Sequence, residues 1–388
     1  MTAIAQRETQ RQVRVLAAYA AFTYPFACVP FLWFYFRDHG IGIDGYANLI
    51  SVYYVVMVVA EVPTGLLADR FGRKPTLVLG PAVLAAGFAV LRLGDDFASF
   101  ALGEALLGLG HALLSGAPSA LLYDTLARAG RTERFLLVEA RLHGWRTLGT
   151  AASFLAGGVV AALAGNAATI PLTAALCACA GLVALAVREP PRQRTRAPAL
   201  LLAALGELRL GEARWIALYY VVLFCLLRYC FHTYQPYLDA AGQEEPLVLG
   251  LLFCALNAFA VPWSRAVPGL LRRWGERALL WAMPLSLALS LVVMAFAVGG
   301  LGVLLFFVHQ APFGAHWSVI QTYANRHLSG QSRATALSVL SFAGRIAFAA
   351  VFPVLGWLQA RSGLTAAYAA AGIGGALATI AVMRRQPR

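Results

Sequence analysis

The chain has 388 residues, of which 60% are hydrophobic and only 13% are charged, and its mean hydropathy is +0.69. A soluble domain of this length needs far more polar surface, so the composition excludes that class and predicts a membrane protein. The formal net charge of +13 could suggest a nucleic-acid partner. The distribution of the cations along the chain decides against that interpretation.

Apolar runs long enough to cross a hydrocarbon core of ~30 Å recur from one end of the chain to the other. The first begins near Val13 and has no small-residue cleavage site, so we interpret it as a retained span and not as a signal peptide. The runs are continuous and too long for barrel strands, which favours helices. We predict twelve helical spans, at residues 13–36, 46–67, 75–93, 97–122, 135–163, 168–187, 214–238, 246–267, 278–298, 300–323, 333–358 and 364–385.

The cations are divided unequally between the two sides of these spans. Of 31 Lys and Arg residues, 24 fall in the termini and loops of one side and four fall inside spans. The other side has three, Arg37, Arg92 and Arg361. It also carries seven acids: Asp38, Asp44, Asp95, Asp96, Asp239, Glu244 and Glu245. The positive-inside rule then predicts a multi-pass protein of the cell inner membrane with both termini in the cytoplasm, and no nucleic-acid partner.

A polar linker at 188–213 separates six predicted spans from the other six. It opens with prolines and arginines, and a leucine-rich stretch from Ala199 to Leu210 follows. That stretch is too short to cross the membrane, so an interfacial helix is expected there. The linker therefore predicts an N-terminal six-helix bundle at 1–187 and a C-terminal one at 214–388.

A short motif recurs at the equivalent place in both halves. Gly65–Lys74 reads GLLADRFGRK between spans 2 and 3, and Pro268–Arg277 reads PGLLRRWGER between spans 8 and 9. Alignment on the Arg-aromatic-Gly triplet puts Arg272 where the first copy has Asp69. A diverged second copy indicates two related bundles.

Four stretches carry a family resemblance: the motif at Gly65–Lys74, Glu61-Val62-Pro63-Thr64 just before it, the end of span 4 (SGAPSALLYDTL) and the opening of span 11 (RATALSVLSF). They resemble the major facilitator superfamily of secondary transporters, in particular its bacterial drug and metabolite permeases. The resemblance covers essentially the whole chain. It implies an all-α membrane fold in which two pseudo-symmetric six-helix bundles expose a central site alternately to each side. It also implies that Asp69 contacts the start of span 11 when the cytoplasmic gate is closed. The gating candidates are Gly65, Asp69, Arg70, Gly72, Arg73, Glu61 and Asp124; a charged loop that only anchors topology is the alternative.

Two family patterns are incomplete in this chain. Glu104 stands in span 4 where an arginine usually precedes the Gly-x-Gly step, and Ser153-Phe154 stands in span 5 where proton antiporters usually have Gly-Pro. Proton antiport is therefore less firmly implied than membership of the superfamily.

Ionisable side chains inside a span cost at least ~2.5–3.5 kcal/mol on insertion scales, so each one suggests a function. Arg146, Arg228 and Arg345 fall near the midplane of spans 5, 7 and 11, and a guanidinium suits a carboxylate or phosphate. Pairing with Glu61, Glu104 or a helix C-terminus is the alternative. Arg141 is shallower and is expected in a cluster with Glu139, Asp124 and Arg128. The substrate-binding candidates are Arg146, Arg228, Arg345, His232, Asn257, His309, Gln310 and Tyr24.

Glu104 and His111 are seven residues apart on one face of span 4 and are the proton-coupling candidates. A carboxylate in a low-dielectric environment can carry a proton, whereas a salt bridge to Arg146 or Arg228 would make Glu104 structural. The single lysine, Lys74, has no P-loop around it, so ATP binding of that kind and enzymatic chemistry are not expected. The six cysteines lie in apolar spans without zinc-site spacing, so no metal or cofactor is expected either.

The sequence thus predicts a monomeric transporter surrounded by membrane lipids that couples protons to the export of a small organic anion or zwitterion. Uptake of a small organic acid by proton symport or facilitation is one alternative. A membrane sensor or lipid-handling protein on the same scaffold, without transport, is another.

Overall fold

The computed structural model describes residues 3–189, 211–328 and 330–387, and these residues form helices and short turns without a strand. The interfacial helix predicted at Ala199–Leu210 lies outside the described residues. So do the side chains at the opening of span 11, residues 330–338.

Most helices follow the predicted spans closely, although α1 begins at Ala3 and not near residue 13, and a few spans are broken. Nine segments of the described residues are long and apolar enough to cross a membrane, whereas the number of twelve spans stays a prediction. The helices are α1 Ala3–Thr23, α2 Leu32–Asp38, α3 Ile43–Phe71, α4 Arg73–Leu93, α5 Phe97–Leu114, α6 Ala117–Arg128, α7 Phe135–Ala164, α8 Thr169–Leu185, α9 Gly211–Ala240, α10 Pro246–Phe296, α11 Gly300–His327 and α12 Gly330–Met383.

The first predicted span is not one continuous helix. α1 ends at Thr23, a 3-10 turn begins at Val29, and α2 begins at Leu32. Pro25 explains the break, because proline lacks the N–H that an α-helix needs and disfavours the helical conformation of the residue before it. The prediction of an unbroken span at 13–36 is therefore wrong. Span 4 is also broken, since Gly116 adopts φ 72° between α5 and α6.

Four glycines form almost the same junction between consecutive helical segments. Gly72 (φ 112°, ψ 166°) and Gly165 (φ 83°, ψ 164°) separate helices in the first half of the chain. Gly275 (φ 77°, ψ 164°) and Gly363 (φ 83°, ψ 171°) interrupt α10 and α12 in the second half. A positive φ is costly for any residue with a Cβ, which explains glycine at each junction. The repeat of the motif seen in the sequence therefore has a structural counterpart.

The chain packs into two compact units. Unit 1 comprises Met1–Tyr35, Val55–Thr195 and Glu245–Cys254, and unit 2 comprises Phe36–Tyr54, Arg196–Glu244 and Ala255–Arg388. The beginning of α3 thus packs within unit 2 and the beginning of α10 within unit 1. The bundles predicted at 1–187 and 214–388 stay a prediction.

In unit 1, α4 and α5 interlock through glycines that each face a leucine of the other helix. Without side chains at these positions the two backbones approach closely, as in other membrane helix pairs. This packing holds the helix that carries Glu104 against α4. The pairs are Gly80 with Leu114, Gly87 with Leu107, Gly103 with Leu91 and Gly110 with Leu84.

We expect Gly157→Ala to destabilise the protein by about 1–3 kcal/mol, because a Cβ there would overlap the carbonyl oxygen of Ala27, a backbone atom that cannot rotate away. Gly144→Ala is the matched control on the same helix, since a Cβ at Gly144 meets no atom within 4 Å. It should leave stability unchanged or raise it through helix propensity. Thermal unfolding of the two variants in detergent gives the comparison. Equal effects would contradict the close packing of α7 on the backbone at Ala27.

Candidate functional site

The broken stretch Tyr24–Cys28, called here the unwound segment, has its backbone groups bonded by hydroxyl side chains of unit 1. The Thr150 hydroxyl donates to the Tyr24 carbonyl (3.0 Å), the Ser153 Oγ accepts from the Phe26 N–H (3.0 Å), and the Thr173 Oγ1 accepts from the Cys28 N–H (3.0 Å). Irregular backbone at membrane depth is tolerated only where protein groups satisfy it in this way. Discontinuous helices of this kind often border transport sites.

Tyr24 on the unwound segment lies between two predicted site residues. The Arg146 guanidinium carbon is 5.2 Å from the Tyr24 ring centroid, and the His111 ring stacks on Tyr24 at 5.6 Å with an interplanar angle of 18°. Phe26 contacts both rings, at 5.9 Å and 6.5 Å. The structure therefore brings Arg146, Tyr24 and His111 together through an aromatic face. The buried Nε of Arg146 has no hydrogen-bond acceptor among the described residues.

Glu104 lies in the interior of the same unit. It is 2% exposed, and its Oε1 is buried without a hydrogen-bond donor in the described part of the chain. It interacts electrostatically with Cys28 at the end of the unwound segment. It also shares one face of α5 with His111, two turns further along the helix. No ion pair joins Glu104 to Arg146 among the described residues. An unpaired buried carboxylate is costly when ionised, and no hydrogen-bond donor among the described residues offsets that cost at Oε1.

The predicted loop at Gly65–Lys74 is shorter than expected. α3 continues through Phe71 and α4 begins at Arg73, so Gly72 alone makes the turn. Gly65 lies inside α3 with open space where a Cβ would be. The turn therefore explains the glycine at position 72 but not the glycine at position 65. Arg70 lies over the Phe71 ring at 5.4 Å. Asp69 is exposed, and the contact predicted for it falls on side chains outside the described residues.

Beyond Gly72 the charges are paired within unit 1. Arg73 forms an ion pair with Asp124. Glu189 caps α4, because its carboxylate accepts from the Arg73 N–H (3.0 Å) and the Lys74 N–H (2.6 Å). The Lys74 ammonium donates to the Leu185 carbonyl at 2.8 Å. These contacts tie the α6 end and the α8 end to the start of α4.

Among the described residues, the acids expected to cluster with Arg141 contact other groups. Asp124 pairs with Arg73, Glu139 accepts from the Ser119 hydroxyl at 2.5 Å, and Arg141 is exposed. Glu61, at the approach to the motif, accepts from the Ser115 hydroxyl at 3.2 Å.

We expect Glu189→Ala to lower stability by about 1 kcal/mol, because it removes both the hydrogen-bond acceptors and the negative charge at the N-terminus of α4. Glu133→Ala is the control: Glu133 is exposed and its contact with Arg134 is long, at 3.9 Å. Thermal unfolding in detergent measures both. A loss for Glu133→Ala as large as that for Glu189→Ala would contradict the capping role.

The junction at Gly275 in unit 2 has the same pairing with the charges exchanged. Glu276 follows Gly275 as Arg73 follows Gly72, and it pairs with Arg326 (3.2 Å) and His327 (3.3 Å) at the end of α11. In unit 1 the cation is on α4 and the acid on α6, whereas in unit 2 the acid is on α10. The ion pair was thus retained while its polarity was reversed.

Arg228 in unit 2 has an environment similar to that of Arg146. Its guanidinium lies 5.1 Å from the Phe224 ring, and its buried Nε has no acceptor among the described residues. Arg345 and Arg228 both interact electrostatically with Tyr220. His232, one turn beyond Arg228, has its Nε2 3.1 Å from the Tyr54 hydroxyl. The structure thus gathers three of the predicted residues around an aromatic wall.

His309 and Gln310 instead belong to a hydrogen-bonded network in the core of unit 2. His309 is 1% exposed; its Nε2 is 2.7 Å from the Ser290 Oγ and its Nδ1 is 3.1 Å from the Tyr234 hydroxyl. Gln310 donates to that same hydroxyl at 3.1 Å. Such satisfied networks stabilise a core. Asn257 is half-buried on α10, and a substrate role for these residues stays a prediction.

A second charged cluster lies at the end of α2, within unit 2. Arg37 donates to Asp239 Oδ1 (2.5 Å), to Glu244 Oε1 (2.8 Å) and to Asp38 Oδ1 (3.2 Å). The hydrogen bond from Arg37 lowers the pKa of Glu244 below its usual range. This cluster therefore persists above the ordinary pKa of a glutamate and weakens only in acid.

Several supporting residues were not found from the sequence. Thr150, Ser153 and Thr173 sit in apolar runs where a hydroxyl gives no distinct signal, and their role depends on which backbone lies opposite. Glu189 was assigned to the linker. The sequence does contain a signal for the unwound segment, since Pro25 lies inside it and Pro30 follows it within one predicted span.

Three comparisons place the chain among known proteins. The sequence matches the family described as Major Facilitator Superfamily over residues 15–350. The inner membrane transport protein YajR of Escherichia coli (strain K12) is 39% identical over 89 residues, which are 23% of this chain and 19% of YajR. The chain thus aligns with about a fifth of the length of the curated relatives it matches first, 19% and 22%.

Solved structures with the same fold cover almost the whole chain. The nucleoside transporter NupG matches with a TM-score of 0.80 at 13% identity, covering 98% of this chain and 99% of NupG. A D-xylose-proton symporter matches with a TM-score of 0.73 at 13% identity, covering 98% of each chain. At these identities the likeness shows the fold alone.

Proposed function

The chain belongs to the Major Facilitator Superfamily and is a multi-pass secondary transporter, and from this premise we propose that it exports a small organic anion or zwitterion in exchange for protons. Transport would occur by alternating access of a site between two six-helix bundles in the inner membrane. Both termini would face the cytoplasm, as the unequal distribution of cations predicts.

The charge of the substrate is supported by Arg146 and Arg228. Each has a buried Nε without an acceptor in the described residues, and each rests on an aromatic ring rather than beside a carboxylate. A buried guanidinium nitrogen without an acceptor is costly, so an incoming anion would supply the missing partner. Guanidinium groups bind carboxylates, sulfonates and phosphates in a forked geometry. The aromatic rings around them suit an apolar part of the same molecule.

Proton coupling is supported by Glu104, and this is the observation that carries the proposal. A carboxylate that is 2% exposed and lacks a hydrogen bond at Oε1 has no structural ion pair to maintain. It shares a face of α5 with His111, which contacts Tyr24. Protonation of Glu104 would therefore change the charge beside the unwound segment, close to the group that would hold the substrate. Such a link is what coupling between proton and substrate requires.

Gating is supported by the charged clusters at the helix ends of each unit. Arg37 on α2 pairs with Asp239 near the end of α9 and with Glu244 just after it, so this cluster would help to close the site on the side opposite the cytoplasm. The contacts of Arg73 with Asp124 and of Glu189 with α4 would keep the Gly72 junction rigid as the bundle moves. Gly65, Asp69, Arg70 and Glu61 remain candidates for the gate on the cytoplasmic side.

Uptake by proton symport is the second candidate function. Span 5 lacks the Gly-Pro pattern of antiporters: the structure has Ser153 there, bonded to the unwound segment. One of the structural neighbours is a D-xylose-proton symporter and another is a nucleoside transporter. Both are similar in fold only, so they keep uptake open without favouring a sugar or nucleoside.

The test is flux into vesicles containing the purified protein under an imposed pH gradient. Benzenesulfonate serves as a permanent anion, tyrosine as a zwitterion, uridine as a neutral nucleoside and tetraphenylphosphonium as a cation; protein-free vesicles give the background. Antiport predicts accumulation of the anion or zwitterion when the lumen is the more acidic side. Accumulation only when the outer buffer is more acidic would establish symport. Preference for the cation would overturn the assignment of an anionic substrate.

A further inference from the structure

A groove with polar and apolar walls lies in unit 2 beside the Gly275 junction. Its volume is about 460 Å³. It lies between the part of α10 before Gly275 and the last turns of α11. The residues that line it are Ser264, Val267, Pro268, Leu271, Arg272, Ser318, Thr322 and Arg326.

The groove has hydrogen-bond donors that the protein does not use. Arg272 forms no ion pair with the described residues, and the Ser318 hydroxyl has no partner among them. Arg326 gives one guanidinium nitrogen to Glu276 at 3.2 Å. The hydroxyls of Ser264 and Thr322 donate to carbonyls of their own helices, so the donors left for a ligand come from Arg272, Arg326 and Ser318. Two guanidinium groups and a hydroxyl match the oxygens of a phosphate.

The first junction shows that this is not a general property of the motif. There, the Arg73 guanidinium pairs with Asp124 and the Lys74 ammonium donates to the Leu185 carbonyl, while Glu189 adds a negative charge that accepts from the backbone N–H groups of both residues. In the second copy, Arg272 replaces the acid that the first copy has at Asp69. Residues 264–277 and 318–328 contain five arginines and a single acid, Glu276. The second junction therefore has an excess of positive charge that its own residues do not neutralise.

The surroundings of the groove favour a lipid as the source of the anion. Val267, Pro268 and Leu271 form an apolar wall directly beside Arg272. Trp274, next to the Gly275 junction, is 54% exposed, and exposed tryptophans at helix ends are typical of the region where a membrane protein meets lipid headgroups. A ligand that has a phosphate and an attached apolar chain satisfies both walls, whereas a free phosphate satisfies one. Basic pockets between membrane helices bind anionic headgroups on the same principle.

We propose that this groove binds the phosphate of an anionic phospholipid, with Arg272 as its principal contact. The bound lipid neutralises the second junction in the role that Glu189 and Asp124 have at the first. Lipid binding at this groove does not require that the transported substrate be an anion.

The test uses the purified full-length protein and follows its thermal unfolding in mixed micelles as phospholipid is added. The probes are dioleoyl phosphatidylglycerol, dioleoyl phosphatidylcholine and the soluble headgroup sn-glycerol 3-phosphate. We expect phosphatidylglycerol to raise the unfolding midpoint and the other two probes to leave it unchanged. Arg272→Gln should weaken the apparent affinity for phosphatidylglycerol about five-fold.

Arg277→Gln is the matched control, because it removes the same charge from the same junction but Arg277 does not line the groove. Its apparent affinity should stay within about two-fold of the original protein. Equal losses in the two variants, or equal effects of the two phospholipids, would overturn the proposal. A midpoint rise with glycerol 3-phosphate alone would reassign the site to a free phosphate compound. If Arg272→Gln does not fold, Arg272→Lys provides the comparison, since it keeps the charge and should retain part of the affinity.

Discussion

Glu104→Gln is expected to abolish accumulation of substrate against its gradient while leaving the fold and downhill exchange of substrate intact. Glutamine has nearly the same size as protonated glutamic acid and can still donate a hydrogen bond, but it cannot release a proton. One charge moved through ~100 mV provides ~2.3 kcal/mol, which corresponds to an accumulation ratio of about 50. In the variant this ratio should fall to about 1.

The measurement compares accumulation driven by a pH gradient with exchange of labelled for unlabelled substrate in the same vesicles. Glu133→Gln is the control, because Glu133 is exposed beyond the end of α6 and should leave both activities unchanged. Unfolding of Glu104→Gln should occur at the same or a higher temperature, since no buried carboxylate remains to be desolvated. Accumulation that keeps its full dependence on the pH gradient would refute Glu104 as the coupling group.

The helices could be predicted from the sequence because continuous apolar runs determine their lengths. α4 at Arg73–Leu93 and α7 at Phe135–Ala164 differ from the predicted spans by at most two residues at either end. Hydropathy could not show the break at Tyr24–Cys28, because the sum over a span is insensitive to one proline. Pro25 shows it only when backbone geometry is considered together with composition.

The site residues could be nominated from the sequence but not grouped by it. Charge inside an apolar run identified Glu104 and Arg146 as candidates. Whether the two form an ion pair depends on the packing of α5 and α7, which the sequence does not show. His309 gave the same type of signal, and the structure shows Ser290 and Tyr234 occupying both of its ring nitrogens. A buried histidine and a ligand-binding histidine thus differ only in their neighbours.

The reversed ion pairs also show what a motif can and cannot predict. Gly72 and Gly275 both have a positive φ and a ψ within 2° of each other (φ 112°, ψ 166° and φ 77°, ψ 164°), because the chain turns in a similar way at both places. The charges around them were exchanged freely, since Arg73 with Asp124 and Glu276 with Arg326 join the same helix ends with either polarity. Backbone geometry therefore restricts the motif more tightly than electrostatics does.

Arg146→Gln is expected to weaken transport of an anionic substrate about ten-fold or more, because a hydrogen bond to a charged group contributes about 1.5–3 kcal/mol. Arg146→Lys should restore only part of this loss, since an ammonium lacks the forked geometry of the guanidinium. Arg228→Gln should have a similar effect if both arginines contact the substrate. The concentration dependence of benzenesulfonate flux measures all three variants.

Two further variants separate binding from structure at this position. Arg141→Gln, one and a half turns earlier on α7 and exposed, removes the same charge and should leave the concentration dependence within about two-fold. Tyr24→Phe keeps the ring under Arg146 and should behave as the original protein, whereas Tyr24→Leu removes a cation–π contact of about 0.5–2 kcal/mol. If Arg146→Gln and Arg141→Gln weaken flux equally, the effect comes from the overall positive charge of α7. If Tyr24→Leu weakens flux and Tyr24→Phe does not, the aromatic ring at position 24 on the unwound segment orients the Arg146 guanidinium for substrate binding.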